Sequence, residues 1–377
     1  MKNKLFFALC AVLMVLLGTS DALRGVFSPL FLSSFGFSEA MVGVIVSASY
    51  LGNLVFLLIG GNILDRLGIR KSMFFFIIMM ALSLCLLLFG YEYSILIAGF
   101  FLTLGLSTLL NTSINIASDN FSDNNSLSYL NILFFIQGIG TSGSQLLLSP
   151  YADSKKAWNI TLIVLASLMI PILMMLMRTN LDEKKGKAQI NEKTEGKISY
   201  IPLLILILSL SFYTIAEHGV TNYIISYGIA LGRDSAEMGR YLALYSLGIM
   251  SGRLILGSLI SRTGAERMLL SSLIVGSISF FLIFYSSMLA LTFVAGFAIS
   301  VFYPTIVAYS RHFVPSSFDS RATTIVVSLA SIFDIIFNFS FGFVIENMGF
   351  FYAMRILPIT IILSLLFSLP LLVGKKR

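Results

Sequence analysis

Two ionisable side chains, Glu217 and His218, stand side by side in the stretch SFYTIAEHGV, which lies within the apolar run YIPLLILILSLSFYTIAEHGVTNYIISYGI. A charge at the centre of a bilayer-spanning helix costs on the order of 2.5–3.5 kcal/mol even on the lenient insertion scale, so such side chains face protein or water. At four-residue spacing Glu217 shares a helical face with Tyr213 and Thr221, and His218 shares the next face with Thr214 and Asn222. Together they make a polar sector suited to a water-filled cavity, where a carboxylate can carry a proton or touch a substrate. The competing reading is a static buried pair that only ties helices together. Asp21 and Arg24, three residues apart in the first apolar segment, pose the same choice. They can neutralise each other, or Asp21 can be a coupling acid while Arg24 binds an anionic group.

The elements that position these residues are membrane-spanning helices. Of 377 residues, 57% are hydrophobic and 11% charged, less than half the charge of an ordinary soluble domain. Apolar stretches of bilayer-crossing length recur along the chain. About twelve spans are expected, at roughly 5–33, 39–64, 72–90, 94–118, 128–149, 158–178, 200–230, 236–261, 267–286, 289–311, 321–345 and 351–372. The N-terminal segment reads as the first span rather than a secretory signal, because apolar sequence continues through Pro29 to Phe35. Cys10 and Cys85 lie within apolar helix and read as packing residues, and the 33 Phe and single Trp suit a lipid-facing surface. The expected fold is an all-α polytopic membrane protein with two pseudo-symmetric six-helix bundles, 1–178 and 200–377, joined by a cytoplasmic linker at 179–199.

Orientation follows from Lys and Arg. With the N-terminus inside, cytoplasmic segments hold 18 of them and external segments 5, which places both termini in the cytoplasm of a cell (cytoplasmic) membrane. The net charge of +7 is thus a topology signal and gives no reason to invoke nucleic acid. No nucleophile elbow, phosphate-binding loop or metal-spaced cluster is present, so neither an enzyme nor an ATP-driven pump is expected, and no cofactor.

The halves are copies. A shift of 196 residues aligns Ala40 with Ala236, Gly43 with Gly239, Leu51 with Leu247, Gly52 with Gly248, Gly61 with Gly257, Arg66 with Arg262 and Gly68 with Gly264. The same shift carries Asp21 onto Glu217. Parallel six-helix repeats belong to a large transporter architecture with the substrate near the midplane between the halves.

The segment GGNILDRLGIRK, Gly60 to Lys71, resembles the loop signature of the major facilitator superfamily at Gly61, Asp65, Arg66, Gly68, Arg70 and Lys71. Finer motifs resemble the fucose/glucose/galactose-type sugar–proton symporters. They are Gly252, Arg253, Gly257 and Arg262 in span eight, Tyr303-Pro304-Thr305-Ile306 in span ten, and LNTSIN (Leu110 to Asn115) in span four. In the signature loop the glycines would allow a tight turn and close helix approach, and Asp65 would pair with nearby cations. The resemblance implies a monomeric proton-coupled importer of a sugar-like solute. Three positions depart from it. Asn111 replaces a span-four acid, Phe134 replaces a span-five Gln, and the span-one acid falls near Gly25, with Asp21 about one turn away.

Further polar residues are candidates for substrate contact. Gln137, Thr141 and Gln145 form a four-spaced stripe, and amides read hydroxyls well because they donate and accept. Asn111, Asn115, Ser331, Asp334 and Asn338 are similar, though all could simply bond neighbouring helices. Tyr303 could stack on a sugar, or Pro304 could merely kink its helix; Arg253 reads as structural, beside the signature. The leading expectation is a secondary transporter using Glu217 and Asp21. The alternatives are an exporter of an amphipathic or anionic compound using Arg24 and His218, and a non-transporting sensor of the same fold.

Overall fold

The computed structural model describes residues 3–121, 126–179, 199–314 and 319–373. Every regular element in it is helical: α1 Lys4–Val26, α2 Ser28–Ser33, α3 Glu39–Leu67, α4 Ile69–Phe89, α5 Tyr93–Ile116, α6 Ser126–Leu148, α7 Lys155–Arg178, α8 Tyr200–Ala230, α9 Ser235–Thr263, α10 Ala265–Tyr285, α11 Thr292–Ile299, α12 Phe302–Ser310, α13 Asp319–Ala353 and α14 Ile356–Val373. Among the described residues, 11 helices are long and apolar enough to cross a membrane, and the helical stretch Ile356–Leu371 is a shorter apolar one. Helices suit this solvent because they satisfy their own backbone groups where no water is available.

The chain divides into two compact units, Met1–Lys187 and Ala188–Arg377. Apart from Thr179 and Ser199, the expected linker lies outside the described residues. The repeat is visible in the helix limits themselves. Shifted by 196, α3 lands on α9 and α4 on α10 residue for residue. Their starts are capped alike: Ser38 Oγ accepts from Met41 N, and Asp234 Oδ2 accepts from Glu237 N. The tight turns at Gly68 (φ 78°) and Gly264 (φ 86°) also correspond, each needing a left-handed residue that glycine adopts without penalty.

Packing repeats in the same way. In the first unit α3 packs on α5, α1 on α6 and α7, and α4 on α5 and α7; in the second α9 packs on α11, α8 on α13 and α14, and α10 on α11 and α14. Small residues permit the closest crossings. A Cβ on Gly52 would strike the Phe101 carbonyl, and one on Gly248 would strike the Phe293 carbonyl. Serines lock α8 to α14: Ser209 Oγ donates to Ser364 O (2.9 Å) and Ser364 Oγ returns a bond to Ser209 O (2.8 Å).

Several expectations need correction. The span expected at 5–33 is interrupted at Phe27, because Pro29 cannot continue the ladder of α1 and instead starts α2. The span expected at 289–311 breaks at Ser300 and Val301, one turn before Pro304, where the proline ring displaces the carbonyl four residues earlier. The span expected to end at 345 runs on to a kink at Gly349 (φ 75°). Trp158 does not face lipid. It is fully buried against Phe27, Phe31 and Phe100, at centroid distances of 5.2, 5.6 and 6.1 Å.

Leucine at position 52 or 248 should destabilise its unit by about 1–3 kcal/mol or more, because a backbone carbonyl cannot yield to the new side chain. Thermal unfolding of Gly52→Leu and Gly248→Leu in detergent should show clear losses in melting temperature.

Candidate functional site

Each unit carries its own polar cluster on its first helix. In the first unit, Asp21 Oδ2 accepts from Ser107 Oγ of α5 (3.2 Å) and from Gln137 Nε2 of α6 (3.4 Å). Its other oxygen, Oδ1, is buried without a hydrogen-bond partner among the described residues. Arg24, one turn further on and 9% exposed, donates from Nη2 to Tyr50 Oη of α3 (3.0 Å), and its guanidinium carbon lies 4.6 Å from the Tyr50 ring centroid. Arg24 also acts electrostatically on Asp21. Thus the arginine is held by a tyrosine while it balances the acid, an arrangement the three-residue spacing alone did not reveal. Ser107 and Tyr50 were missed, since a serine and a tyrosine in apolar helix give no signal until the fold brings them to α1.

In the second unit the sequence neighbours Glu217 and His218 have separate surroundings. His218 Nδ1 lies 2.6 Å from Asp334 Oδ2 of α13, with side-chain exposures of 27% and 3%. Asn338 Nδ2 donates to Asp334 Oδ1 at 3.0 Å and to Asp334 O at 2.9 Å. The pair is consistent with the compensation expected of charge at this depth. Glu217 makes no ion pair among the described residues. Its electrostatic neighbours are Tyr213 on α8, Tyr245 on α9 and Tyr303 on α12, with Arg253 acting on Tyr213 and Tyr303. Thus His218 pairs with Asp334, and Glu217 has tyrosines as its electrostatic neighbours.

The remaining candidates are dispersed. Of the α6 stripe only Gln137 reaches Asp21. The Thr141 hydroxyl donates to the Gly18 and Gln137 carbonyls, both at 3.2 Å, which makes it a helix-crossing contact. Gln145 is buried with Oε1 unbonded among the described residues, as is Asn111 Oδ1, while Asn115 is exposed and Asn222 buried. Phe134 is exposed, so the amide missing from that position is supplied to the acid from Gln137, one turn on.

The signature loop also departs from expectation. Gly68 makes the turn, but Gly61 and Gly257 meet no neighbour within their own surroundings, so neither marks a close crossing. Asp65 has no ion pair among the described residues; it is exposed at the end of α3, as are Arg66, Lys71 and Arg262, where solvent competes for the charge. Arg70 instead donates to the Met177 carbonyl at the end of α7 (2.6 Å), satisfying a terminal helix acceptor. Arg253 is exposed on α9, and it acts electrostatically on Tyr213 and Tyr303.

His218→Ala should cost about 3–5 kcal/mol, because it leaves the Asp334 carboxylate buried and uncompensated, and Asp334→Ala should cost less, because His218 is partly exposed. Unfolding of Asp334→Ala, His218→Ala and the double variant should give a double-mutant cycle with a coupling term well above that of an exposed pair.

The family model described as Major Facilitator Superfamily matches residues 9–233 and 206–377. No curated protein sequence matches the chain significantly. Solved structures similar to it include the nucleoside transporter NupG (TM-score 0.79, 14% identity, covering 99% of this chain and 100% of that one). A mutant form of the E. coli fucose:proton symporter FucP is similar with TM-score 0.64, 16% identity and 98% coverage of both chains. The D-xylose-proton symporter gives TM-score 0.74 and 15% identity, covering 99% of both. At such identities the likeness is one of fold. With the family model matching both halves, the chain belongs to the major facilitator superfamily and is a multi-pass membrane transporter, not an enzyme.

Proposed function

We propose that the chain imports a small hydroxylated solute, sugar-like in character, by proton symport. The reading rests on one observation: α1 and α8 carry acids at repeat-equivalent positions, each among polar groups from other helices of its own unit. Ser107 and Gln137 bond Asp21, and Tyr303, at the position equivalent to Ser107, neighbours Glu217. Hydroxyls and amides that donate and accept suit a solute rich in hydroxyl groups, while an acid that gains and loses a proton couples its movement to a gradient. Fucose, xylose and nucleosides, named for the similar structures, share a hydroxylated ring. The Lys/Arg distribution favours both termini in the cytoplasm of the cell membrane, and a monomer is the working unit. Arg24 and His218 are engaged by Tyr50 and Asp334, which weakens the reading of an exporter that uses them to grip an anion.

Proteoliposomes preloaded at higher pH test this directly with labelled sugars and nucleosides. One proton per solute and an inward gradient of about one pH unit should drive at most about tenfold accumulation. Glu217→Gln should abolish accumulation while leaving solute exchange at equal concentrations. Full accumulation in that variant would remove Glu217 from the mechanism, and ligand binding without flux would favour a sensor.

A further inference from the structure

Arg355 lies in the short connection between α13 and α14, at the end of the second unit where α8 and α10 finish. Two aromatic rings hold its guanidinium. The carbon at its centre is 3.9 Å from the ring centroid of Phe351, four residues earlier, and 5.0 Å from that of Tyr285, the last residue of α10. Nε is buried without a hydrogen-bond partner, and no acid forms an ion pair with Arg355 among the described residues. The acids at the start of α9 are engaged elsewhere: Glu237 accepts from Arg233 at 2.8 Å, and Asp234 caps the helix. In the first unit the equivalent position is Asn159, whose Nδ2 donates to Tyr91 Oη at 2.8 Å. Arg355 is thus a half-buried cation whose charge no described acid balances.

An apolar strip leads up to it. Ile274, Ile278, Phe281 and Tyr285 follow one face of α10 at helical spacing, with exposures of 41%, 57%, 46% and 40%. Phe281 and Tyr285 stack, their centroids 4.7 Å apart and their planes 10° from parallel. A cation at a helix end, heading a strip of exposed apolar side chains, complements the two parts of a phospholipid. A guanidinium takes two phosphate oxygens through parallel N–H···O bonds, and aromatic rings against its face fix that fork in advance. We propose that Arg355 binds the phosphate of an anionic phospholipid, with an acyl chain lying along Ile278 and Phe281 of α10. Free phosphate offers the same oxygens but nothing to cover the strip. The competing picture is an arginine that snorkels into bulk water, yet this guanidinium is drawn against two rings.

Native mass spectrometry of the delipidated full chain, titrated with short-chain phosphatidylglycerol, tests the site. One lipid should bind wild type more tightly than the rest, and Arg355→Gln should weaken that first step by about tenfold or more. Phe351→Leu keeps the charge and loses one ring, so it should weaken the same step by a smaller factor. Melting temperatures check folding. If Arg355→Gln does not fold, Arg355→Lys reads the same step, because lysine lacks the planar fork. Diacylglycerol of equal chain length, which has no phosphate, should bind wild type and Arg355→Gln alike; a difference there overturns the phosphate contact. Inorganic phosphate that displaces the lipid at equal affinity overturns the assignment to a lipid. A first lipid held equally by wild type and every variant overturns the site itself.

Discussion

A carboxylate inside a bilayer-spanning helix must be compensated by its protein neighbours, and the packing around α1 and α8 follows from that cost. Hydrocarbon offers no hydrogen bonds, so the helices that approach these two must bring donors with them. Ser107 arrives on α5, Gln137 on α6, Tyr50 on α3 and Asp334 on α13. The same helices are those that pack against α1 or α8, or cross their partners at glycines, so polar compensation and apolar packing use a shared framework. A change at Gly52 or Gly248 therefore bears on the sites as well as on the core.

The two units solve the same problem with different side chains. Duplication conserves helix limits, caps and turns closely enough that α3 and α9 coincide under a shift of 196. Around the acids, however, Leu17, Ser49 and Ser107 of one unit correspond to tyrosines in the other. Asp21 is shorter than Glu217 and is reached by a serine hydroxyl and an amide. The longer Glu217 has tyrosines from α8, α9 and α12 as its electrostatic neighbours. Beside it, His218 and Asp334 form a second compensated centre with no equivalent in the first unit, because the position matching His218 is Ala22.

Backbone breaks mark where the regular helices yield. Pro29 and Pro304 each end one helix and start another, and the freed backbone is tolerated because neighbouring protein surrounds it. In α12 the break falls just before Tyr303, so the proline motif that looked like either a kink or a sugar platform is a helix break beside a tyrosine that neighbours the acid electrostatically. Trp158, read as a lipid-facing ring, is the centre of an aromatic cluster beside the Phe27 break. An apolar residue in a membrane protein carries no label for which side it faces.

Much of the architecture was legible from residue order because a bilayer imposes one-dimensional rules. Span length and the repeat of glycines at fixed spacing both act along the chain. They determined the helix count, the two-fold duplication and the correspondence of Asp21 with Glu217. The partners were not legible, because compensation acts between helices distant in sequence. His218 and Asp334 are 116 residues apart, and nothing local distinguishes Asp334 from an acid that pairs elsewhere, or Tyr245 from a core ring. The sequence alone determined that charges lie in the membrane and on which helices; only tertiary packing decided which neighbour compensates each, since a hydrogen bond forms where side chains converge to about 3 Å.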